Sequence, residues 1–260
     1  MSKRETDVSS PAPKRKSIRI ARQESLAGAT SNLRICSGSN SSARSSYDLK
    51  DLPSSASKFA LEDVEALNAT FESTSNENDV IPEVESENYI VKEDFTVGTI
   101  SGTSDRHVKG FISKLHRVVV NASLDIGMDE SKTGSLVTQL LTSIVDFNIW
   151  PLEVRVKECY RLSVSDKRIS ARPEFVVDLK EVVMIVVEDK HLNNVSAPDF
   201  GEAQILAEIL ACGYENVRLS ITDQTILAVS IISSYVTFYK AEHIGENLRG
   251  AYHESSQLQF

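Results

Sequence analysis

Two short runs set what this chain can become. "FVVDL" (175–179) and "VVMIVVE" (182–188) are almost unbroken β-branched and apolar residues, separated only by Lys180-Glu181. A strand with one wet face alternates polar and apolar side chains, whereas a continuous apolar run is covered on both faces. These two runs are therefore central strands of a layered α/β domain. The second one ends in Glu188-Asp189-Lys190, where a buried strand has no use for charge.

The rest of the chain sorts around that hairpin. Before about residue 100 the sequence is rich in Ser, Asn and charge, with little apolar periodicity, so it buries too little surface to offset the entropy of ordering it. Residues 1–102 read as a disordered tail, 103–244 as one folded domain and 245–260 as a frayed end. The tail is basic at its start (Lys3, Arg4, Lys14, Arg15, Lys16, Arg19, Arg22) and acidic over 62–94. "PAPKRKSIRIAR" fits a nuclear-import signal, or equally a basic tail with no address. "LEDVEALNATF" has the apolar spacing of one or two helical turns and is expected to form nothing stable alone.

Within the domain, Val108, Phe111, Ile112, Leu115 and Val119 recur at helical spacing in "DRHVKGFISKLHRVVVNA" (105–122). "TGSLVTQLLTSIVDFN" places Leu136, Val137, Leu140, Leu141, Ile144 and Val145 on one helical face, with Thr133 or Ser135 as cap and Trp150-Pro151 as terminator. From 152 the period becomes two: "LEVRVKECYRLSV" alternates Leu152, Val154, Val156, Tyr160 and Leu162 against Glu153, Arg155, Lys157 and Arg161, one strand with one buried face. After the hairpin, "APDFGEAQILAEILACG" reads as a helix capped by Asp199 with Glu202 and stopped by Gly213. "TILAVSIISSYVTFYKAEH" reads as two strands broken at Ser233-Ser234. The predicted architecture is helix, three-strand antiparallel meander, helix and two further strands in one mixed sheet.

In an antiparallel pair, residues equally far from the turn centre face each other. With Glu181 as the centre, Glu174 stands opposite Glu188, and Lys190 falls on the face of Glu188 while Asp189 points away. This requires an odd-numbered turn, since a turn of Lys180-Glu181 alone sends Glu174 to the opposite face. Two acids so close call for a cation between them. Both carboxylates with the main-chain carbonyl of Asp189 form an oxygen set suited to Mg²⁺, which keeps several waters.

Pro173-Glu174, Glu188-Asp189-Lys190 and Gln204 in the following helix resemble the PD-(D/E)XK nuclease superfamily, which has the restriction-endonuclease-like fold. "ARPEFVVDL", "IVVEDKHLNNV", "GEAQILAEILACGYENVR" and "TDQTILAVSIISSYVTFYKA" look like those of a set of uncharacterised fungal proteins of that fold, akin to the C-terminal domains of Crinkler-type effectors. The resemblance covers about 133–244. It implies Glu174 and Glu188 as ligands of Mg²⁺ or Mn²⁺, beside the Asp189 carbonyl already in the oxygen set, with Lys190 as the catalytic lysine and Gln204 as a site residue contributed by the helix. DNA is the implied substrate and phosphodiester hydrolysis the implied reaction. Glu174 replaces the usual Asp, and for the acid that many members carry on the first helix the nearest candidates are Glu130 and Asp146. The alternative is an interaction module that keeps the fold without catalysis.

Other charges are read more plainly. Glu208 is expected to face solvent, and so is His191. Arg155, Lys157 and Arg161 either track a phosphate backbone or guard a sheet edge. No run nears the roughly 20 apolar residues of a membrane span, and "MSKRETDVSS" lacks the apolar stretch of a secretory signal. An intracellular protein, nuclear or cytoplasmic, is expected, with Cys36, Cys159 and Cys212 as reduced thiols. The formal net charge of −9 argues against a general polyanion binder, though much of it comes from the tail, and leaves room for a local basic groove.

Overall fold

The computed structural model describes residues 30–35, 49–67, 69–74, 76–80, 105–122, 131–190, 201–242 and 244. In chain order its elements are β1 (Thr30–Ile35), α1 (Leu61–Ala66), β2 (Ala69–Thr74), α2 (Arg106–Ala122), α3 (Ser131–Gln139), β3 (Leu152–Val156), β4 (Tyr160–Val164), β5 (Lys167–Ala171), β6 (Phe175–Leu179), β7 (Val182–Lys190), α4 (Glu202–Arg218), β8 (Thr225–Ile232) and β9 (Tyr235–Glu242). Seven strands form one mixed sheet in the order β2-β1-β9-β8-β7-β6-β3. β3, β6 and β7 are the predicted antiparallel meander. α4 crosses over to β8, which runs parallel to β7, and β9 returns antiparallel across Ser233-Ser234.

Helices cover both faces, as the continuous apolar runs require. On one face Val176, Val183 and Val186 pack with Ile205, Leu206, Ile209 and Leu210 of α4 and with Ile226 and Ala228. On the other, Phe175, Val187 and Ile231 meet Val137 and Leu141. The alternation along β6 and β7 thus divides each strand between two cores.

Several expectations are corrected. The stretch 152–164 is two strands, not one: Lys157 takes a left-handed φ of 54°, and β4 pairs with an unforeseen β5 in a separate two-stranded sheet packed on α4. Val156, expected inside, is 58% exposed at the break. α3 starts at Ser131, before either predicted cap, and passes at Leu140–Ile144 into a π-turn in which Leu140 O accepts from Val145 N at 2.9 Å. One extra residue in the turn rotates the following side chains away from the core, so Ile144 and Val145 are exposed. In α2, Ile112 and Val118 are buried while Val119 is exposed, because the helix packs beside α3, with Lys114 bonding Ser135 O and Gln139.

α4 also departs from its predicted punctuation. Its N-cap position is Gly201, at φ 97°; Asp199 lies outside the described residues. Gly213 does not stop the helix, which continues to Arg218. Its lack of a side chain serves packing instead: a Cβ there meets Ile244 Cγ2 at 2.6 Å. The described segments between Thr30 and Val80 lie inside the stretch expected to be a tail, yet they add β1 and β2 to the sheet and bury Leu52, Ala56, Val64, Ala69 and Val80. Few but well-placed apolar residues suffice there, since the domain already presents an edge at β9 to pair with.

Candidate functional site

The hairpin differs from the expected odd-numbered turn. Its turn is the two-residue one: Leu179 pairs with Val182, and Lys180 and Glu181 both have positive φ, at 52° and 72°. Two left-handed central residues make the tight hairpin that matches strand twist. Alone, that turn places Glu174 and Glu188 on opposite faces. A β-bulge then shifts the register by one residue: Asp178 pairs with Val183 but Val177 pairs with Ile185, so Met184 is an extra residue on β7. Beyond it the register runs Val176↔Val186 and Phe175↔Val187, and Glu174 precedes Phe175 just as Glu188 follows Val187.

The bulge is held from α4. Val183 N donates to Asn216 Oδ1 at 2.9 Å, and Asn216 Nδ2 donates back to Val183 O at 2.9 Å. The pairing of β7 with β8 begins only at Ile185↔Leu227, so Asn216 supplies the two bonds that β8 does not reach to make. Asn216 Nδ2 also donates to Gln224 Oε1 at 2.7 Å, and Gln224 Nε2 to Gly213 O at 3.0 Å. A buried amide network needs every member satisfied, and this one meets that demand.

Glu188 is buried on the α4 side of the sheet, where Gln204 meets it. Gln204 Nε2 donates to Glu188 Oε1 at 2.8 Å and to Glu208 Oε1 at 2.7 Å. Glu208, expected in solvent, is fully buried: Ile205 and Ile209 flank the same inward stripe, and the 3.6-residue period carries 208 with them. Its signal in the sequence was the i, i+4 spacing from Gln204. Glu174 sits at the mouth of the hairpin, about a quarter exposed, with its Oε2 2.9 Å from Lys157 Nζ.

Lys190 closes β7 opposite Ile232, and Asp189 lies opposite Ile231. Their side chains lie outside the description, as do Glu130 and His191. Asp146 stands beyond the π-turn at φ 59°. Among the described residues there is no group of three or more His, Cys, Asp or Glu able to hold a metal ion. The structure therefore brings Glu188, Gln204 and Glu208 into contact, whereas Glu174 lies one residue beyond the last pair of the ladder, Phe175↔Val187, and its side chain meets Lys157.

The basic side chains of β3 and β4 do not form one exposed row. Arg155 is partly buried, with Nε 2.8 Å from Asp178 Oδ2 and Nη1 bonded to Glu158. Its approach to Asp178 is a charge contact outside hydrogen-bond geometry, since neither Asp178 oxygen accepts a hydrogen bond. Burial pushes the Asp178 carboxyl above its ordinary value, with Arg155 pulling the other way. Arg155, Asp178, Arg161 and Arg218 line a cavity of about 380 Å³ at the turn end of the hairpin, away from Glu188. Cys159 and Cys212 are free thiols, and burial raises the Cys212 pKa well above its usual value.

No family model matches the chain. No curated protein matches it either. One solved structure, described as the crystal structure of SSO0001, aligns over 68% of this chain and 82% of that one, at 16% identity and a TM-score of 0.25. A likeness of that size carries no argument here. No described helix is long and apolar enough to cross a membrane.

Proposed function

We propose that the mouth of the β6–β7 hairpin, with the first turn of α4, is a metal-dependent phosphodiesterase site acting on DNA, of the PD-(D/E)XK type and on a restriction-endonuclease-like core. The observation that carries this reading is the bulge at Met184, which pairs Phe175 with Val187, so that continuing the ladder by one residue would set Glu174 opposite Glu188 despite a turn that otherwise separates them. A bulge that re-aims a strand end is a feature of functional sites, where it directs a particular side chain.

The donor chemistry fits a hard divalent ion. Glu174, Glu188 and the main-chain carbonyl of Asp189 are all oxygen donors, the set Mg²⁺ and Mn²⁺ take while keeping several waters. Among the described residues Glu174 pairs with Lys157, whose side chain is 62% exposed, and an incoming ion can displace so well-solvated a partner. The bound ion would polarise a phosphoryl oxygen and lower the pKa of a water. Gln204 holds the Glu188 carboxylate in one orientation through its amide. In this reading Lys190 offsets negative charge that develops on the phosphate.

The test is supercoiled plasmid nicking by the full chain in Mg²⁺ or Mn²⁺. Wild type should nick, and Lys190→Ala should not, at an unchanged melting temperature. Equal behaviour of the two removes the reading. One observation favours a second: Glu188 and Glu208 are both buried and bridged by Gln204, as in a packing network of a non-catalytic interaction module. That module predicts no nicking by wild type and no metal-dependent rise in stability.

A further inference from the structure

From the contacts around Gln204, we propose that Glu208 is a positioning residue of the candidate metal site, setting the orientation of Gln204 and through it that of Glu188. The inference rests on the metal-site reading given above.

The argument begins with cost. Glu208 is fully buried on the stripe of α4 that carries Ile205, Leu206, Ile209 and Cys212 against the sheet. An apolar side chain of similar length packs there without the desolvation penalty of a carboxylate, which amounts to several kcal/mol for an ion moved into the interior. Stability alone therefore gives no reason for Glu at this position.

The geometry supplies one. A glutamine amide has two ends, one donating and one accepting, and it can turn about its last torsion. A lone carboxylate partner fixes only which end faces it and leaves the plane of the amide free. Gln204 is held at two points, because Nε2 gives one hydrogen to Glu188 at 2.8 Å and the other to Glu208 at 2.7 Å. Both acids repel the amide oxygen, so the amide has one orientation. Glu188 Oε1 is then met by an N–H at a fixed angle. Glu208 lies four residues after Gln204, one helical turn further along α4.

Outer partners that orient a metal ligand typically change metal affinity by roughly 10–100-fold when removed. Glu208→Met keeps the length of the side chain and removes the acceptor. Glu208→Gln keeps an acceptor, its own Oε1, within reach of Gln204. Mn²⁺-dependent melting of the full chain is the readout, because it does not depend on turnover. Glu208→Met should melt cooperatively without metal, yet need at least about tenfold more Mn²⁺ for the wild-type shift. Glu208→Gln should keep the wild-type midpoint.

A wild-type midpoint in Glu208→Met overturns the proposal, and so does an equal loss in both variants, since charge rather than orientation then matters. No Mn²⁺ shift in wild type instead overturns the metal site itself. If Glu208→Met fails to fold, amide exchange on the wild-type chain decides. Both side-chain N–H protons of Gln204, assigned by their absence in Gln204→Met, should exchange slowly; rapid exchange of either one sinks the idea.

Discussion

Asn216 and Val183 exchange two hydrogen bonds of 2.9 Å each, a side-chain amide standing in for a missing strand. That exchange fixes where β7 gains its extra residue, and so which face Glu188 occupies. The same helix that supports the candidate site at Gln204 secures the strand register about 18 Å further along its axis.

Asn216→Ala should lower stability by roughly 2–4 kcal/mol, since two buried main-chain groups lose their partners. Urea unfolding followed by circular dichroism measures it. A cost below about 0.5 kcal/mol, the range of ordinary surface changes, refutes the clamp.

The bulge should depend on residue count and not on side chain. Met184 is 37% exposed, so Met184→Ala is expected to cost under about 1 kcal/mol. Deleting Met184 shifts every residue from Ile185 to Lys190 to the other face, which should abolish cooperative unfolding. A deletion variant as stable as the alanine variant contradicts the register.

Gly213→Ala should destabilise by about 1–3 kcal/mol through overpacking, because the new methyl group meets Ile244. In combination with Ile244→Ala the cost should be less than the sum of the two single costs, whereas strict additivity places the strain elsewhere.

Asp178 supplies a pH dependence. Its folded pKa lies above the ordinary value of 3.8, chiefly through burial. The folded state thus keeps a proton that the unfolded chain releases. The contribution is full below about pH 3.8 and is lost as pH rises through the folded pKa. Asp178→Asn does not ionise, so its stability relative to wild type should improve between about pH 3 and pH 7. A relative stability that worsens over that range reverses the sign and rejects the assignment.

Lys157 Nζ lies 2.9 Å from Glu174 Oε2, so in the proposed metal site it would compete with the cation. Lys157→Ala should tighten Mn²⁺ binding by about 1.5–5-fold, the worth of an exposed ion pair. Weaker binding in that variant places Lys157 in support of the site and not in competition with it.

Legibility in the sequence followed the range of the interaction. The central hairpin, both of its flanking helices and the Ser233-Ser234 break were readable because apolar period and turn chemistry are local. The odd-numbered turn expected around Glu181 is instead a two-residue turn followed by a bulge, which was not legible because nothing in "VVMIVV" marks Met184 as the residue to bulge. That choice is made by Asn216, 32 positions later. Glu208 was misplaced for a related reason: a charged residue on a helix is by default solvated, and only its contact with Gln204 overrides the default. β1 and β2 escaped because sparse apolar residues read as a tail until an existing strand offers them an edge.

The division of labour along α4 bears on how such a protein ages. A gene copy released from whatever work the hairpin mouth performs can exchange Gln204 and Glu208 for leucine and gain packing by it. Asn216 and Gln224 have no such freedom, because they hold the strand register, and neither has Gly213, where a side chain would meet Ile244. Erosion should therefore begin at the start of the helix and spare its end, leaving descendants that keep the shape after the chemistry has gone.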